Sequence, residues 1–428
     1  MKTKRLATTL AAVCALSASA TPAIEDYSVE QIWGEKVLKV SFTLTERAIL
    51  TVDILTNGVS IGAANYSKLC EPLAPGGDFP ANKIVDAGDH VWLWRPTIEW
   101  PGRKLASEHF QVELKAWSFD DPPDYMIVTY NVKSNAYFYA RAEDIPGGIK
   151  TADPNDADAV AALANDPYRT TKIVLRKIPA KGVKWRMGSP STEQYRQANE
   201  VPHYVTLTND FYVSIYPLTF TQYNNFMDGQ NDPSIRPKYN IAYTTMRGAI
   251  TSSCWPEDGY EVTSNSGFGY MRRLTGLRFD LLTEAEWEYA CRAGSEAPWN
   301  GYTENEVAWH ENATKTANAV YHPVGLKKPN AWGLYDMHGM ANEWVLDQYG
   351  PYPTEDVIAP VGVTTNVNMR ILRGGMQNRQ HTNGKWISAI STRSAYRMSF
   401  NPTKTQTTAP NYFGARVGCP AALPDWMR

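Results

Sequence analysis

Histidine and cysteine are scarce in this chain, with 7 histidines and 5 cysteines among 428 residues. Little imidazole or thiol is therefore present for metal or redox chemistry. No run of lysine and arginine stands out, and the formal net charge is −2, which argues against nucleic acid or an anionic membrane as a partner. No apolar stretch is long enough to span a bilayer, so membrane insertion is not expected.

What the sequence does contain is typical of a folded globular protein. Hydrophobic residues make up 43% and charged residues 20% of the chain, with 14 tryptophans and 24 tyrosines. One hydrophobic core seldom grows past roughly 250 to 300 residues. The length therefore predicts two domains.

The first twenty residues have the pattern of a secretory signal peptide. Lys2, Lys4 and Arg5 precede an apolar stretch over 6–16, and Ala18 opens a small-residue cleavage site. A buried first helix is the alternative interpretation. The signal predicts a secreted or periplasmic protein, in which cysteines meet an oxidising compartment.

Residues 25–140 read as an all-β domain, for which an immunoglobulin-like sandwich is predicted. Turn residues separate several β-branched and aromatic segments. The predicted strands are Val37–Thr45, Ala48–Leu55, His90–Arg95, Phe110–Phe119 and Tyr125–Val132. Residues 141–168 read as a linker with one short helix, and residues 169–428 as a second, loop-rich domain.

Two helix starts in the second domain have the capping-box pattern. Thr219 is followed three residues later by Gln222, and Thr283 is followed by Glu286. In this pattern the hydroxyl caps the helix and the longer side chain reaches back to the capping residue's backbone amide. The second helix is expected to end near Gly294.

These helices lie within an ordered series of motifs. The series consists of Trp185-Arg186-Met187-Gly188-Ser189-Pro190, Glu200-Val201-Pro202-His203, Leu282-Thr283-Glu284-Ala285-Glu286-Trp287-Glu288-Tyr289-Ala290, Asn330-Ala331-Trp332-Gly333-Leu334-Tyr335-Asp336-Met337-His338-Gly339, Leu372-Arg373-Gly374-Gly375, Arg393-Ser394-Ala395-Tyr396-Arg397 and Gly414-Ala415-Arg416-Val417. The chain from about residue 168 onward thereby resembles the formylglycine-generating-enzyme, or sulfatase-modifying-factor, domain family. The resemblance implies an α+β, loop-rich fold of the C-type-lectin-like kind.

The family's catalytic cysteines have no counterparts here. In the enzymes, two cysteines after an Arg-Gly-Gly-Ser run bind copper and oxidise a sulfatase cysteine. Here the run ends in Met376, Arg379 stands where the first thiolate is expected, and no cysteine occurs between Cys291 and Cys419. Because Cu(I) prefers thiolates, the resemblance argues against copper and against formylglycine generation.

Iron and calcium are the other metals that members of the superfamily bind. Iron held by three histidines occurs in related sulfoxide synthases, but the histidines of this domain are scattered, and surface or packing roles are the simpler interpretation. Calcium is the favoured cofactor, since family members bind it in the turn after the Gly-Leu-Tyr run. The matching positions are Asp336, Gly339, Ala341 and Glu343. The alternative is that the two carboxylates make only turn hydrogen bonds.

Cys291 and Cys419 resemble the positions of a structural disulfide in the family. Cys70 and Cys254 are expected to be lone thiols, because neither has a neighbouring basic residue that would lower its pKa. Arg379, His381 and Trp386 lie in the strip that replaces the reactive one. They are candidates for a cleft that binds a peptide or glycan, with a solvated loop as the alternative.

The sequence therefore predicts an exported, non-catalytic binding or scaffolding module, a pseudoenzyme with a structural calcium ion and a disulfide. Whether it is an enzyme at all stays open. The alternatives are an oxidoreductase of the same superfamily, maturing sulfatases or using another metal, and an extracellular structural protein attached through its β-sandwich.

Overall fold

The computed structural model describes most of the chain, in segments separated by gaps. The described residues are 22–32, 36–67, 69, 80–102, 110–129, 136–227, 233–248, 262–309, 322–361, 369–375, 388–403 and 413–427. Several sequence predictions fall outside them, namely the signal segment 1–20, Cys70, Cys254, Arg379, His381 and Trp386. No helix in the described part is both long and apolar enough to cross a membrane.

The chain divides into two compact units. The first comprises Met1–Met126, Ala136–Ile149 and Ala422–Arg428, and the second comprises Ile127–Asn135 and Lys150–Ala421. One crossing between them, at residues 149 and 150, lies inside the predicted linker.

The first unit is built almost entirely of strands. Its elements are β1 (Ile24–Ile32), β2 (Val37–Leu44), β3 (Ala48–Thr56), β4 (Val59–Ser60), β5 (Lys83–Val85), β6 (Gly88–Trp94), helix α1 (Pro96–Glu99), β7 (Phe110–Trp117) and β9 (Ala136–Tyr139), while β8 (Tyr125–Thr129) runs from the first unit into the second. Short 3₁₀ turns cover Ala63–Asn65, Ala142–Asp144 and Asp425–Met427.

Two antiparallel sheets of the first unit share one apolar core. One sheet has the order β1-β2-β6, and in the other β3 pairs with β4, β5 and β7. Side chains of β2 alternate toward the core, as Val40 and Phe42 show, and they meet Leu50 and Val52 of β3 in the same cluster. This period of two buries one face of each strand. The all-β character of the first unit is evident, while the immunoglobulin-like description stays a prediction.

Residues 141–149, predicted as the start of a linker, belong to the first unit instead. Arg141 donates through Nη2 to Oδ2 of Asp53 at 2.6 Å and to Oδ1 of Asp144 at 2.8 Å. Near the chain's end, Leu423 N donates to Phe119 O at 2.9 Å. The first unit therefore takes segments from three separate parts of the chain.

The second unit mixes helices and strands, as the predicted α+β class requires. Its elements are α2 (Ala157–Ala162), α3 (Pro167–Thr170), β10 (Lys172–Ile178), β11 (Lys184–Met187), β12 (His203–Thr206), β13 (Phe211–Ser214), α4 (Phe220–Met227), α5 (Tyr243–Met246), α6 (Gly267–Thr275), α7 (Glu284–Arg292), α8 (Glu304–Val307), β14 (Ala308–Trp309), β15 (His338–Gly339), β16 (Asn342–Gln348), β17 (Val357–Ile358), β18 (Arg370–Arg373), α9 (Ser388–Ser391), β19 (Met398–Phe400), β20 (Phe413–Gly414) and β21 (Gly418–Pro420). A 3₁₀ turn spans Leu163–Asn165.

Short sheets position the motif residues around helix α7. A four-stranded sheet has the order β19-β18-β16-β20, and β11-β12-β17 form another. Strand β10 pairs with β13, which pairs with β21. Helix α7 contacts β11, β16 and β18, and all nine of its residues are buried.

The strand predicted at Tyr125–Val132 was wrongly assigned to the N-terminal sandwich. The described part of this strand, Tyr125–Thr129, lies next to β10 in the sheet that contains β13 and β21. The sequence of a buried strand shows its apolar character but not its pairing partner, because pairing is set by contacts distant in the chain.

Candidate functional site

The two capping boxes predicted from sequence are both formed. Thr283 Oγ1 accepts from the backbone amide of Glu286 at 3.2 Å, and Glu286 Oε2 accepts from Thr283 N at 2.8 Å. Thr219 and Gln222 make the same reciprocal pair at 3.1 Å. Helix α7 ends at Arg292, with Ala293 in the left-handed conformation at φ 46°. The capped start fixes where the glutamates of α7 point.

Those glutamates enter a buried ionic layer that sequence reasoning missed. Arg373, at the end of β18, is fully buried and donates to Glu284 Oε1 at 3.2 Å and to Glu288 Oε2. Glu284 also accepts from Arg397 Nη2 at 2.7 Å, and Glu288 accepts from Arg292 Nε at 2.8 Å. The only sequence signal was the recurrence of Glu and Arg in separate motifs. The layer gives the Arg-Gly-Gly run a structural role.

The glycine pair Gly374–Gly375 follows directly and needs glycine for two reasons. Both residues have positive φ, 87° and 77°. A Cβ on Gly375 would lie 2.4 Å from Ser391 O, which no real Cβ contact allows. The pair therefore turns tightly against α9, immediately before the strip in which the family's reactive cysteines stand.

The predicted calcium turn contains one unpaired carboxylate oxygen. Asp336 is buried with φ 56°, and its Oδ2 accepts from Gly325 N at 2.7 Å, whereas Oδ1 has no hydrogen-bond partner. Burial raises the pKa of Asp336 to about 6, although Gly325 N and the guanidinium groups of Arg416 and Arg169 oppose this shift. A buried orphan oxygen of this kind fits a cation ligand.

Unlike Asp336, Glu343 has protein partners for both of its carboxylate oxygens. Its carboxylate lies 3.0 Å from Arg416 Nη2, and Oε2 accepts from the indole Nε1 of Trp287 at 2.6 Å. Glu343 would have to share these oxygens to bind a cation. Gly339 and Ala341 lie on the same turn, where Gly339 O accepts from Ala341 N at 3.0 Å. Asp336 therefore has one oxygen free to bind a cation, whereas the oxygens of Glu343 already have partners within the protein.

The predicted disulfide between Cys291 and Cys419 is absent, because both residues are free buried thiols. Cys291 Sγ lies 3.7 Å from His338 Nε2, whereas Cys419, on β21, lies within the electrostatic influence of Arg272. The two sulfurs therefore face different surroundings. Burial raises the pKa of Cys291 to about 12 and raises that of Cys419 as well. Neither thiol is activated as a nucleophile.

The histidines within the described stretches do not converge. His338 Nδ1 hydrogen-bonds Thr392 O at 2.8 Å, and burial lowers the pKa of His338 to about 4. His322 stacks on Trp309 with ring centroids 3.5 Å apart, and its pKa is also lowered to about 4 by burial and by Lys327. The ring of His203 packs against that of Tyr352 at a tilt of 55°, with centroids 4.7 Å apart. In the part of the chain that the structure describes, no three His, Cys, Asp or Glu side chains form a metal-binding group.

The second unit is thus a mixed helix-and-sheet domain whose motif residues meet in buried ion pairs around one capped helix. Residues 178–419 match the family described as the sulfatase-modifying factor enzyme 1-like domain. The chain belongs to this family, and the resemblance stated from the motifs is confirmed.

Several curated relatives share this region. The formylglycine-generating enzyme of Bos taurus is 32% identical over 288 residues, which cover 56% of this chain and 71% of the relative. The enzyme of the same name from Streptomyces coelicolor is 28% identical over 177 residues, covering 38% of this chain and 52% of the relative. Serine/threonine-protein kinase pkn1 of Chlamydia pneumoniae is 26% identical over 294 residues. This chain spans only 44% of that kinase's length.

Two solved structures are also similar to this chain. PvdO from Pseudomonas aeruginosa aligns over 58% of this chain and 94% of its own, with 23% identity and a TM-score of 0.44. Treponema denticola variable protein 1 aligns over 58% of this chain and 95% of its own, with 20% identity and a TM-score of 0.42.

Proposed function

We propose that this protein is a binding or scaffolding member of the sulfatase-modifying-factor family that does not generate formylglycine. One observation carries the proposal: the sequence has no cysteine between Cys291 and Cys419. The family reaction needs a thiolate pair after the Arg-Gly-Gly run to hold a soft copper ion. Cys291 cannot substitute, since it is fully buried and its pKa is raised to about 12.

A peptide oxidation assay tests this directly. The full-length protein is supplied with copper, a reductant, oxygen and a cysteine peptide of the sulfatase type, and mass spectrometry follows conversion of the thiol to the aldehyde. A formylglycine-generating enzyme serves as positive control. We expect no aldehyde above the copper-only background. Aldehyde formed with turnover would establish the alternative function, which the identity to the Bos taurus enzyme favours.

We propose the ligand to be a peptide or glycan, and the protein to be exported. The signal pattern of residues 1–20 supports export. Fractionation of the producing cells, with N-terminal sequencing of the recovered protein, tests this. A mature chain that begins after Ala20 outside the cytoplasm is expected, and an uncleaved cytoplasmic chain would contradict export.

Calcium is proposed as a structural ion at Asp336, Gly339, Ala341 and Glu343. The support is the unpaired Oδ1 of Asp336. Bound calcium would supply the missing partner and rigidify the turn, with no part in a reaction. Calcium should therefore raise the unfolding midpoint of the protein relative to a chelator, and Asp336→Asn should weaken this dependence. Equal midpoints with calcium and with chelator would reject the site.

A further inference from the structure

Strand β11 forms one edge of the sheet β11-β12-β17, and no strand in the described part of the chain pairs with its outer side. Its neighbour β12 runs antiparallel to it, with Lys184 opposite Thr206 and Arg186 opposite Tyr204. Lys184 is exposed and Arg186 is half-buried. An edge strand of this kind presents main-chain groups to which another extended chain can bind.

The main-chain groups of Lys184 and Arg186 point to this outer side. Thr206 O accepts from Ala359 N at 2.8 Å, so Thr206 directs its main-chain groups toward β17 and away from β11. In an antiparallel pair, opposite residues either exchange both hydrogen bonds or direct both sets of groups outward, and the two kinds alternate. Lys184, opposite Thr206, and Arg186, two residues further on, are therefore of the outward kind. Among the described residues, neither has a main-chain hydrogen bond on that side.

One face of this edge is basic. Side chains alternate between the two faces of a strand, so those of Lys184 and Arg186 share one face. Lys184 Nζ lies 2.6 Å from Asp356 Oδ2, whereas Arg186 has no ion pair with any residue that the structure describes. A chain bound beside β11 would gain from an acidic side chain directly opposite Arg186.

The other face of the edge is aromatic. The ring of Trp185 lies 5.3 Å from that of Tyr289 on α7, and the Tyr289 ring lies 5.0 Å from that of Trp332. Trp185 and Trp332 are both half-buried, so part of each side chain is open to solvent. Aromatic surface of this kind favours contact with an apolar or aromatic side chain.

We propose that β11 binds an extended acidic peptide as an added antiparallel strand. Two acidic residues of the peptide, two positions apart, lie opposite Lys184 and Arg186 and exchange main-chain hydrogen bonds with them. The apolar residue between the two acids lies against Trp185. In this mode the main chain supplies affinity and the alternating side chains supply specificity. The site specifies the peptide ligand of the proposed binding function and rests on that function.

The probe is the acetylated and amidated pentapeptide Val-Asp-Phe-Asp-Val, titrated into the full chain by calorimetry. N-methylation of both Asp nitrogens removes the donors that face β11 and should weaken binding at least about tenfold. The matched control carries one methyl group on the Phe nitrogen, whose N–H points away from β11, and should bind within about twofold of the probe. Absence of probe binding, or equal losses in the two methylated peptides, would overturn the proposal.

The peptide Val-Lys-Phe-Lys-Val tests the charges. It keeps the apolar residues and the main-chain groups, but its lysines face Lys184 and Arg186. It should bind at least about tenfold more weakly than the acidic probe, and added salt should reduce the difference. Equal binding of the two peptides would refute the basic face as the source of specificity.

Arg186→Glu reverses the charge on the protein instead. This variant should bind the acidic probe at least about fivefold more weakly, with an unfolding scan to show that it is folded. The control is Lys150→Glu, the same reversal at an exposed position outside β11, which should keep wild-type binding. Unchanged binding in Arg186→Glu would refute the site, and the methylated peptides decide the question if this variant does not fold.

These readouts are independent of aldehyde formation. A protein that binds none of the peptides and forms no aldehyde would lose the edge site but keep the non-catalytic assignment. A protein that binds the probe and also forms aldehyde would keep the edge site and lose that assignment.

Discussion

At the scale of single residues, carboxylates that accompany buried arginines explain several of the family motifs. Glu200, from the Glu-Val-Pro-His run, is fully buried and accepts from Arg393 Nη2 at 2.6 Å and from Ser189 Oγ at 2.6 Å. Glu193 lies 2.6 Å from Nη1 of the same arginine. These contacts link separate motifs of the chain through buried charges.

Removing one such carboxylate should strongly destabilise the folded protein. Glu200→Gln leaves Arg393 buried with Glu193 as its remaining counter-ion, and we expect the free energy of unfolding to fall by about 3 kcal/mol. Denaturant unfolding measures the change. The control is Asp356→Asn, which breaks the exposed pair with Lys184 and should leave the midpoint close to that of the wild type. Similar losses in both variants would contradict the role of burial.

Asp347 should make stability depend on pH. Burial and the neighbouring charge of Glu284 raise its pKa to about 7, although the Glu284 amide, Arg397 and Arg370 oppose this. A carboxyl group whose pKa is higher in the folded state stabilises the protein most below its unfolded pKa of about 4, and this contribution is lost as pH rises toward 7.

Asp347→Asn keeps an oxygen that can accept from the Glu284 amide but removes the titration. The variant should lose less stability than the wild type between pH 5 and pH 8, measured as the denaturant midpoint at each pH. Glu286, with a pKa raised mainly by burial to about 8, is present in both proteins and serves as an internal reference. Identical pH profiles would rule out Asp347 as the titrating group.

At the scale of elements, the sequence predicted the helix starts and strands that depend on residues close together in the chain. The capping residues Thr219 and Thr283 gave both helix starts, because a cap and its partner lie three residues apart. Strands β2 and β3 were visible as alternating or apolar runs. The pairing of β8, the contact of Glu343 with Arg416 and the register of Arg186 opposite Tyr204 could not be predicted, since each depends on residues far apart in the chain.

The glycine pair offers a test at this scale. Gly375→Ala should destabilise the protein strongly, since positive φ and the contact of the new Cβ with Ser391 O act together. Gly301→Ala is the control: its φ is 83°, but nothing lies within 4 Å of the added Cβ. Thermal unfolding should show a much larger fall for Gly375→Ala. Equal falls would mean that backbone strain alone explains the preference for glycine.

At the scale of the whole molecule, the resemblance identified the family, yet one property carried over from it failed. The order of the motifs assigns the chain to the correct family, because this order reflects the fold. The disulfide did not follow, as Cys291 and Cys419 are separate buried thiols. A disulfide forms only when the two sulfur atoms lie within bonding distance. Sequence similarity over some 240 residues does not determine a distance that precisely.

The free thiols can be checked by chemistry. The protein is denatured in iodoacetamide without reductant, and peptide mapping follows the peptides that contain Cys291 and Cys419. Both should be fully alkylated, whereas the native protein should react slowly because both thiols are buried. A peptide pair linked through the two sulfurs would restore the disulfide and contradict the structure.

The order of the segments along the chain determines whether the two halves of the protein can be separated. Residues 127–135 belong to the second unit although they precede the crossing at residue 149, and residues 422–428 belong to the first although they follow it. A single protease cut between Ile149 and Lys150 would leave each fragment holding a segment that completes the other's fold. The nicked halves should stay together on a sizing column, and neither half, expressed by itself, would be a complete domain.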